Sequence, residues 1–416
     1  MRSNPFLSFL LVLGLGFSAQ ARAESLTWEQ AVSLCAQSNT DLRSSDEALK
    51  QARLSVARTA AAFLPKASAS AGLSESGPYD VNGGFGDGSS GGSASLSANL
   101  NLFNGFADLA ARSKAKAALD SALAAQQTTR AQVGYQLRAA FLTLLQAQEA
   151  EAQALTIAAR RKDNVDLVQL RYEAGRENQG ALLQTQALSA QSAWQAHRAT
   201  RSRRSAALSL AQLLGRDSGD DLVAQGELVA PEAPADEIPA AALQDLPSLR
   251  QAQDALISAQ QDARSASASW WPSLGASASV GRSGGPWLSD SGSWSAGLSL
   301  SLPIFQGGTR VVDQLAAASR LRDAELSLAD AKRQAYSTLR NSLDAYLNGA
   351  EQAGVQALFY QASLVRAEVG RAQYTQGLLT FDLWDQNETD LINAQTSASS
   401  SLGDAQRAAA AWQRDL

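Results

Sequence analysis

Apolar and polar residues alternate strictly in two short sectors of the chain. In the first sector the apolar positions are Leu96, Ala98, Leu100 and Leu102. In the second they are Trp294, Ala296, Leu298, Leu300 and Leu302. Serine, asparagine and glycine fill the positions between, and a period of two residues predicts β-strands with two different faces. Weaker alternation precedes each sector, at 67–73 and 274–280, so we predict two β-hairpins, at 65–103 and 272–305.

Long segments free of proline separate these sectors. No proline lies between Pro78 and Pro231 or after Pro303, and proline costs about 3 kcal/mol inside a helix. Apolar residues recur there at helical spacing, as at Leu137 and Phe141. The pattern predicts long helices at 108–172, 181–214, 309–374 and 381–412. At about 1.5 Å per residue the longest would extend close to 100 Å, which is typical of a coiled coil or bundle.

The same order of features occurs twice. The runs that mark it are LFNG at 102–105 with IFQG at 304–307, and YEAG at 172–175 with YTQG at 374–377. Both pairs are offset by about 202 residues. A repeat of this length indicates a duplicated structural half. We predict a first repeat at 24–214, a mixed equatorial linker region at 215–246 and a second repeat at 247–416.

The N-terminal segment has the pattern of a secretory signal peptide. Arg2 is followed by an apolar run at 6–17 and an A-x-A cleavage pattern at 21–23. We predict that 1–23 is removed. The alternative is an uncleaved membrane anchor, although a spanning helix needs about 20 apolar residues. Cys35 is the only cysteine, which excludes an intrachain disulfide, and we predict that it is a small buried apolar residue.

Charge and composition exclude several classes of function. The formal net charge of −5 is spread evenly and forms no basic patch, so nothing indicates nucleic-acid binding. The single histidine, His197, lies among arginines and has no sequence neighbours suited to a metal site or an acid–base pair. The sequence has no phosphate-binding loop, nucleophile elbow or Cys/His cluster. We predict a protein that is not an enzyme and holds no cofactor or metal.

The strand count decides how the hairpins can be used. Each strand has roughly ten residues, the length that crosses a bilayer when tilted. Two hairpins supply four strands, and an open strand edge in lipid leaves backbone groups without hydrogen bonds. Several copies must therefore share one barrel, and three copies give about 12 strands around a water-filled lumen.

Aromatic residues mark one end of the predicted hairpins. They are Phe63, Phe103, Trp270, Trp271 and Phe305. In two up-down hairpins all five would lie at one membrane interface, where aromatic rings are enriched. A soluble β-sandwich with one polar face would explain the alternation equally well, but not the common level of these rings.

Five short runs carry a resemblance to a known family. They are LTWEQA at 26–31, NLFNGF at 101–106, RYEAG at 171–175, PIFQGG at 303–308 and GLLTFD at 377–382. With these runs in this order, the chain resembles the TolC family of outer-membrane efflux factors over essentially its whole mature length. The resemblance implies a mainly α fold with a β portion, internally duplicated. A trimeric transmembrane β-barrel of about 12 strands, four per chain, would continue into a long periplasmic α-helical barrel.

The resemblance also implies a function. A homotrimer in the outer-membrane lipid of a Gram-negative bacterium would be the passive exit duct of a tripartite efflux or type I secretion system. Its partners would be a periplasmic adaptor (membrane fusion) protein and an inner-membrane pump. The alternative is a non-conducting periplasmic coiled-coil scaffold or adhesin stalk, which would need no lipid-facing β surface.

Functional residues are implied at the two turns between long helices. Those that match the family's adaptor-contact tips are Arg171, Tyr172, Gly175 and Gly377. Those near its channel gate are Tyr374, Asp382 and Asp385. The chain departs from the family at Leu379, where an arginine of the gate network is common, and at Gly180, where an acidic residue is usual. The resemblance therefore does not carry over a bonded lock of the family's form.

Asp382 and Asp385 are three residues apart, so on a helix they would share a face. Threefold symmetry would gather six such carboxylates in one narrow ring, which would favour cations. The alternative is a solvated first helical turn, where acidic residues are favoured by the helix dipole.

Overall fold

The computed structural model describes residues 24–81, 83–219, 221–239, 242–285 and 291–416. The signal peptide predicted at 1–23 lies outside the described residues. The chain forms two compact units. The turn unit contains the described residues up to Cys35, with Ala140–Leu228 and Ser363–Ser399. The sheet unit contains Ala36–Ala139, Val229–Ala362 and Ser400–Leu416.

Helices account for most of the described residues. In chain order they are α1 Trp28–Ser38, α2 Thr40–Ala60, α3 Ala107–Glu173, α4 Gln179–Leu213, α5 Ala242–Asp245, α6 Pro247–Ala268, α7 Thr309–Thr375 and α8 Phe381–Asp415. The four longest begin and end within three residues of the predicted bounds. Among the described helices, none combines the length and apolar character needed to cross a membrane.

The helix lengths confirm the internal duplication. α3 and α7 each contain 67 residues, and α4 and α8 each contain 35. Both pairs begin 202 positions apart, as Ala107 and Thr309 illustrate. In both halves a glycine with positive φ follows the longer helix, Gly175 at 69° and Gly377 at 80°. Glycine is favoured there because other residues are strained in this conformation.

The strands, in chain order, are β1 Glu24–Leu26, β2 Lys66–Ser76, β3 Tyr79–Asp80, β4 Gly84–Phe85, β5 Ser89–Asn104, β6 Leu222–Ala224, β7 Ser273–Gly284 and β8 Gly292–Ser301. The sheet unit holds an antiparallel sheet in the order β2-β5-β7-β8. One row across it is apolar: Ala69, Leu96, Val280 and Trp294. The next row is polar: Ser68, Ser97, Ser279 and Ser295. The predicted alternation therefore gives one apolar and one polar face.

The face predicted from the alternation is wrong at one residue, Leu102. The pattern places Leu102 on the apolar row, but the register shifts between Asn101 and Phe103, and Phe103 pairs with Leu274. Such an extra residue is a β-bulge, which interrupts the period of two and bends the strand. Phe103 therefore takes the place on the apolar face that the sequence pattern assigns to Leu102.

Each unit has its own apolar cluster. In the sheet unit the members are Leu246, Leu249, Ala335, Leu339, Leu343 and Trp412. In the turn unit they are Val168, Ala181, Leu182, Tyr374, Phe381 and Trp384. From the predicted linker region, β6 pairs in parallel with β1 in the turn unit. Cys35 is buried, as predicted, and burial raises the pKa of its thiol.

Candidate functional site

Tyr374, at the end of α7, is fully buried in the apolar cluster of the turn unit. Its ring stacks on Trp384 of α8, with 4.4 Å between the ring centroids and 1° between the planes. The guanidinium carbon of Arg171, in the last turn of α3, lies 4.4 Å from the same ring centroid. This is a cation–π contact. One aromatic ring is therefore held by residues of two other helices.

Polar contacts hold the same tyrosine. Its hydroxyl donates to Glu177 Oε2 at 2.9 Å, and Arg171 Nη1 donates to the main-chain oxygen of Tyr374 at 2.8 Å. Burial raises the pKa of Tyr374 well above its usual value, and the bond to Glu177 raises it further. The hydroxyl therefore remains protonated and donating at neutral pH. We call Tyr374, Trp384, Arg171 and Glu177 the tyrosine latch.

Two ion pairs join α3 to α8 within the turn unit. Arg160 donates to both carboxylate oxygens of Glu388, at 2.6 and 2.7 Å, and the Glu388 side chain has no solvent exposure. Hydrogen bonding to Glu388 raises the pKa of Arg160. Arg161 Nη1 lies 2.7 Å from Asp385 Oδ1, and both of these side chains are largely buried. We call these two pairs the arginine layer.

Several buried polar atoms of the same unit make no hydrogen bond with the residues that the structure describes, Arg171 Nε among them. Asn164 lies about one helical turn beyond Arg160 and Arg161 on α3 and is fully buried. Neither amide atom of Asn164 makes a hydrogen bond with the residues that the structure describes, and the same holds for Trp384 Nε1. Buried polar groups are rarely left unpaired in stable cores, so the arrangement carries an energetic cost at this place.

The two aspartates predicted near the gate differ in environment. Asp385 pairs with Arg161 and also accepts a bond from Gln184 Nε2 at 3.4 Å, so its charge is offset within the chain. Asp382 is exposed and forms no ion pair in the described part of the chain. Their spacing therefore does not produce two equivalent carboxylates. The ring of carboxylates stays a prediction.

The predicted adaptor-contact residues also differ in environment. Gly175, Gly377 and Tyr172 are exposed at the two turns. Arg171, by contrast, is part of the tyrosine latch. Tyr172 and Tyr374 occupy equivalent positions in the two repeats, yet the first is 39% exposed and the second is fully buried.

The predicted interface aromatics lie at one end of the sheet. They are Phe63 before β2, Phe103 near the end of β5, Trp270 and Trp271 before β7, and Phe305 after β8. These places share an end because neighbouring strands run antiparallel. All are exposed except Phe103, which is half-buried and packs against Phe106. Their role at a membrane interface stays a prediction.

Sequence reasoning missed several residues of the latch and the layer: Glu177, Trp384, Arg160, Arg161 and Glu388. A partial signal exists, because residues four apart on a helix, such as Trp384 and Glu388, share a face. Their partners give no local signal, since Arg160 and Glu388 are 228 positions apart. Within the described ranges, no cluster of three or more His, Cys, Asp or Glu could hold a metal ion.

The family of this chain is established by a sequence match. The family described as "Outer membrane efflux protein" matches residues 31–216 and 238–409. These two blocks cover most of the sequence, and the chain belongs to this family. No curated protein sequence matches the chain significantly.

Solved structures share the fold. The CmeC outer membrane channel of Campylobacter jejuni has a TM-score of 0.82 at 17% identity, over 93% of this chain and 84% of that chain. The open-state MtrE outer membrane channel of Neisseria gonorrhoeae has a TM-score of 0.78 at 23% identity, over 95% and 92%. The outer membrane protein VceC of Vibrio cholerae has a TM-score of 0.77 at 18% identity, over 92% and 94%. At these identities the likeness shows the fold.

Family and fold confirm the resemblance to outer-membrane efflux factors. The protein is an outer-membrane efflux channel of a Gram-negative bacterium and not an enzyme. The predicted fold class is confirmed: mainly helical and internally duplicated, with a β portion of the barrel-forming type. The scaffold or adhesin-stalk alternative finds no support.

Proposed function

We propose that the chain acts as a homotrimer whose sheets close one barrel, through which an inner-membrane pump, joined by a periplasmic adaptor, discharges its substrate. The open sheet carries this proposal, because among the described strands β2 pairs only with β5 and β8 only with β7. In lipid, each unpaired backbone group costs several kcal/mol. Pairing β8 of one copy with β2 of the next removes both edges, and three copies supply about 12 strands.

The two faces of the sheet support this assembly. The apolar rows, such as Ala69–Leu96–Val280–Trp294, suit contact with lipid, and the serine rows suit a water-filled lumen. The exposed aromatics at one end of the strands suit the membrane interface.

Light scattering of the purified protein in detergent tests the stoichiometry. The expected mass is that of about three chains. The protein should be recovered from the outer-membrane fraction, and on denaturing gels it should run as an oligomer that heating dissociates. A stable, folded monomer would contradict the shared barrel.

We further propose that the tyrosine latch and the arginine layer hold the periplasmic gate closed. The latch joins the two repeats, since Tyr374 of the second half bonds to Arg171 and Glu177 of the first. The unpaired buried amide of Asn164 supports a gate that can open, because it makes the closed arrangement less stable.

Tyr374→Phe tests the latch. This variant keeps the stacked ring and removes the hydrogen bond to a carboxylate, which is worth about 1.5–3 kcal/mol. The open fraction in planar bilayers should rise by at least about tenfold. Tyr172→Phe is the matched control, because it changes the equivalent, exposed tyrosine of the first repeat. Equal conductance of the two variants would contradict the latch.

Cation selection at the gate is assigned to Asp382, the exposed carboxylate. Asp382→Asn should weaken the block of conductance by added divalent cations. Asp385→Asn should instead increase opening, because it frees Arg161 of α3. If divalent cations block the conductance of Asp382→Asn as strongly as that of the wild type, the prediction of a carboxylate ring is wrong.

A further inference from the structure

An open groove of about 800 Å³ lies in the sheet unit, where the helices adjoin the strands. Its walls come from the start of α3, the end of α6 and one residue of α7. The side chains that matter here are Phe106, Leu109, Trp271, Leu321, Gln260 and Arg264. Arg264 is the one charged residue among those that line it. The groove thus combines an apolar wall with a single cation.

The groove is continuous with the apolar face of the sheet. Phe103 pairs with Leu274, which itself pairs with Leu300 on that face. The Phe103 ring contacts Phe106 at 5.1 Å between centroids, and Phe106 lies 6.5 Å from Trp271. The aromatic wall of the groove therefore extends the surface that meets lipid in the proposed assembly.

A second copy of the chain is a poor occupant for this groove. α3 follows β5 and α6 precedes β7, and these are the two inner strands of the sheet. Copies that pair through β2 and β8 meet at the outer strands. Most of the groove lining therefore comes from segments that adjoin the inner strands, and Leu321, on the helix that follows β8, is the lining residue that comes from the side of an outer strand.

The backbone holds the groove open in a defined shape. Phe106 has φ of 70°, a conformation that costs energy for any residue except glycine, and the residue is 57% exposed. At the preceding Gly105, a Cβ would clash with the main-chain oxygen of Ala268. The start of α3 thus approaches the end of α6 as closely as glycine allows. An aromatic residue that is strained, and that stays largely exposed although Phe103 and Trp271 contact its ring, is typical of a binding surface.

The charge of Arg264 indicates which kind of ligand fits the groove. Arg264 is exposed, and the hydrogen bond it makes with described residues goes to the neutral Gln261, at 3.3 Å. The nearby carboxylate of Asp262 is already paired with Lys114, at 2.7 Å. A guanidinium without a carboxylate partner, next to aromatic and aliphatic walls, matches a phosphate attached to acyl chains.

We propose that the groove binds one phospholipid per chain from the periplasmic leaflet, with the phosphate on Arg264 and an acyl chain along Phe106, Leu109 and Leu321. The inference rests on the proposed orientation of the sheet in the membrane. An anionic headgroup is preferred, because no acidic residue lines the groove. The lipid fixes the height of the helices against the membrane surface.

Native mass spectrometry of the detergent-solubilised oligomer tests the site, with dioleoyl phosphatidylglycerol, dioleoyl phosphatidylcholine or inorganic phosphate added. The wild type should retain one phosphatidylglycerol per chain, bind phosphatidylcholine more weakly and bind no inorganic phosphate. Arg264→Gln should weaken retention roughly tenfold. Leu109→Asn should weaken retention of both lipids, because it changes the acyl wall.

Arg333→Gln is the control. Arg333 belongs to the same unit, and its pair with Asp330 is strongly exposed, so this variant removes one charge without touching the groove. Lipid retention equal in Arg264→Gln and Arg333→Gln would overturn the proposal, as would retention of inorganic phosphate without lipid. Failure of the trimer itself would show as a monomer mass in the same spectrum, which separates the two proposals.

Discussion

Replacing Glu388 by glutamine changes a single charge at the centre of the arginine layer. The variant keeps the size of the side chain but replaces one carboxylate oxygen by an amide that donates. In the wild-type protein Arg160 makes two short hydrogen bonds to this carboxylate, at 2.6 and 2.7 Å. In the variant one of these bonds becomes a contact between two donors. The link from α3 to α8 is weakened at its most buried point.

The burial of Arg160 and Glu388 determines how much free energy the substitution removes. Breaking a fully buried ion pair costs about 3–5 kcal/mol. Glu388 is 0% exposed, but the Arg160 side chain is 27% exposed and can recruit water. We therefore expect a loss of about 2–3 kcal/mol in the free energy that keeps α8 packed on α3. Because each 1.4 kcal/mol is a factor of ten, local opening should become roughly 30- to 100-fold more frequent.

Amide hydrogen exchange of the assembled protein measures this opening directly. The amides of the first part of α8, from Phe381 to Ser399, should exchange faster in Glu388→Gln. Asp390→Asn on the same helix is the matched control. Asp390 lies 3.4 Å from Arg366, and the two side chains are 33% and 61% exposed, so its change should cost less than about 1 kcal/mol. Equal exchange in the two variants would refute the argument that burial gives the layer its strength.

Three further substitutions test other parts of the chain. Burial first, and then the charge of Asp120, raise the pKa of Asp254, so the ionised form is disfavoured in the folded state. The stability that its protonated form contributes is present at low pH and is lost as pH rises through the raised pKa. Asp254→Asn should therefore raise the thermal midpoint at neutral pH and leave it nearly unchanged below about pH 4; a constant shift across this range would contradict the assignment. At Gly377 a Cβ meets open space, so Gly377→Ala should cost only about 1 kcal/mol of backbone strain. Gly105→Ala should reduce the yield of the heat-sensitive oligomer sharply, because its Cβ has no room, and equal yields of the two variants would contradict the close approach at Gly105.

The bulge in β5 marks one limit of sequence patterning. A period of two residues predicts the apolar row through Leu96, Ala98 and Leu100 correctly, because each step along a regular strand reverses the face. It fails at Leu102, where one extra residue enters the strand. Nothing in the local sequence separates a regular strand from a bulged one, because the partner strand decides the register.

The candidate site marks another limit. The resemblance leads to Tyr374, Asp382 and Asp385, and the structure gives these three residues different surroundings. Tyr374 is fully buried, Asp385 is paired with Arg161 and Asp382 is exposed. Leu379, at the position where an arginine of the gate network is common in the family, packs against the apolar cluster, and Arg171 of the other repeat contacts the tyrosine.

Periodicity, the distribution of proline and the offset of 202 residues were enough to predict the helices, the two hairpins and the duplication, because these are properties of short stretches of chain. Which of two equivalent tyrosines is buried could not be read in the same way. Tyr172 and Tyr374 occupy matching positions, but two of the residues that hold Tyr374, Arg171 and Glu177, are 203 and 197 positions away along the chain. Only the tertiary structure brings Arg171, Glu177 and Trp384 onto one of the two rings.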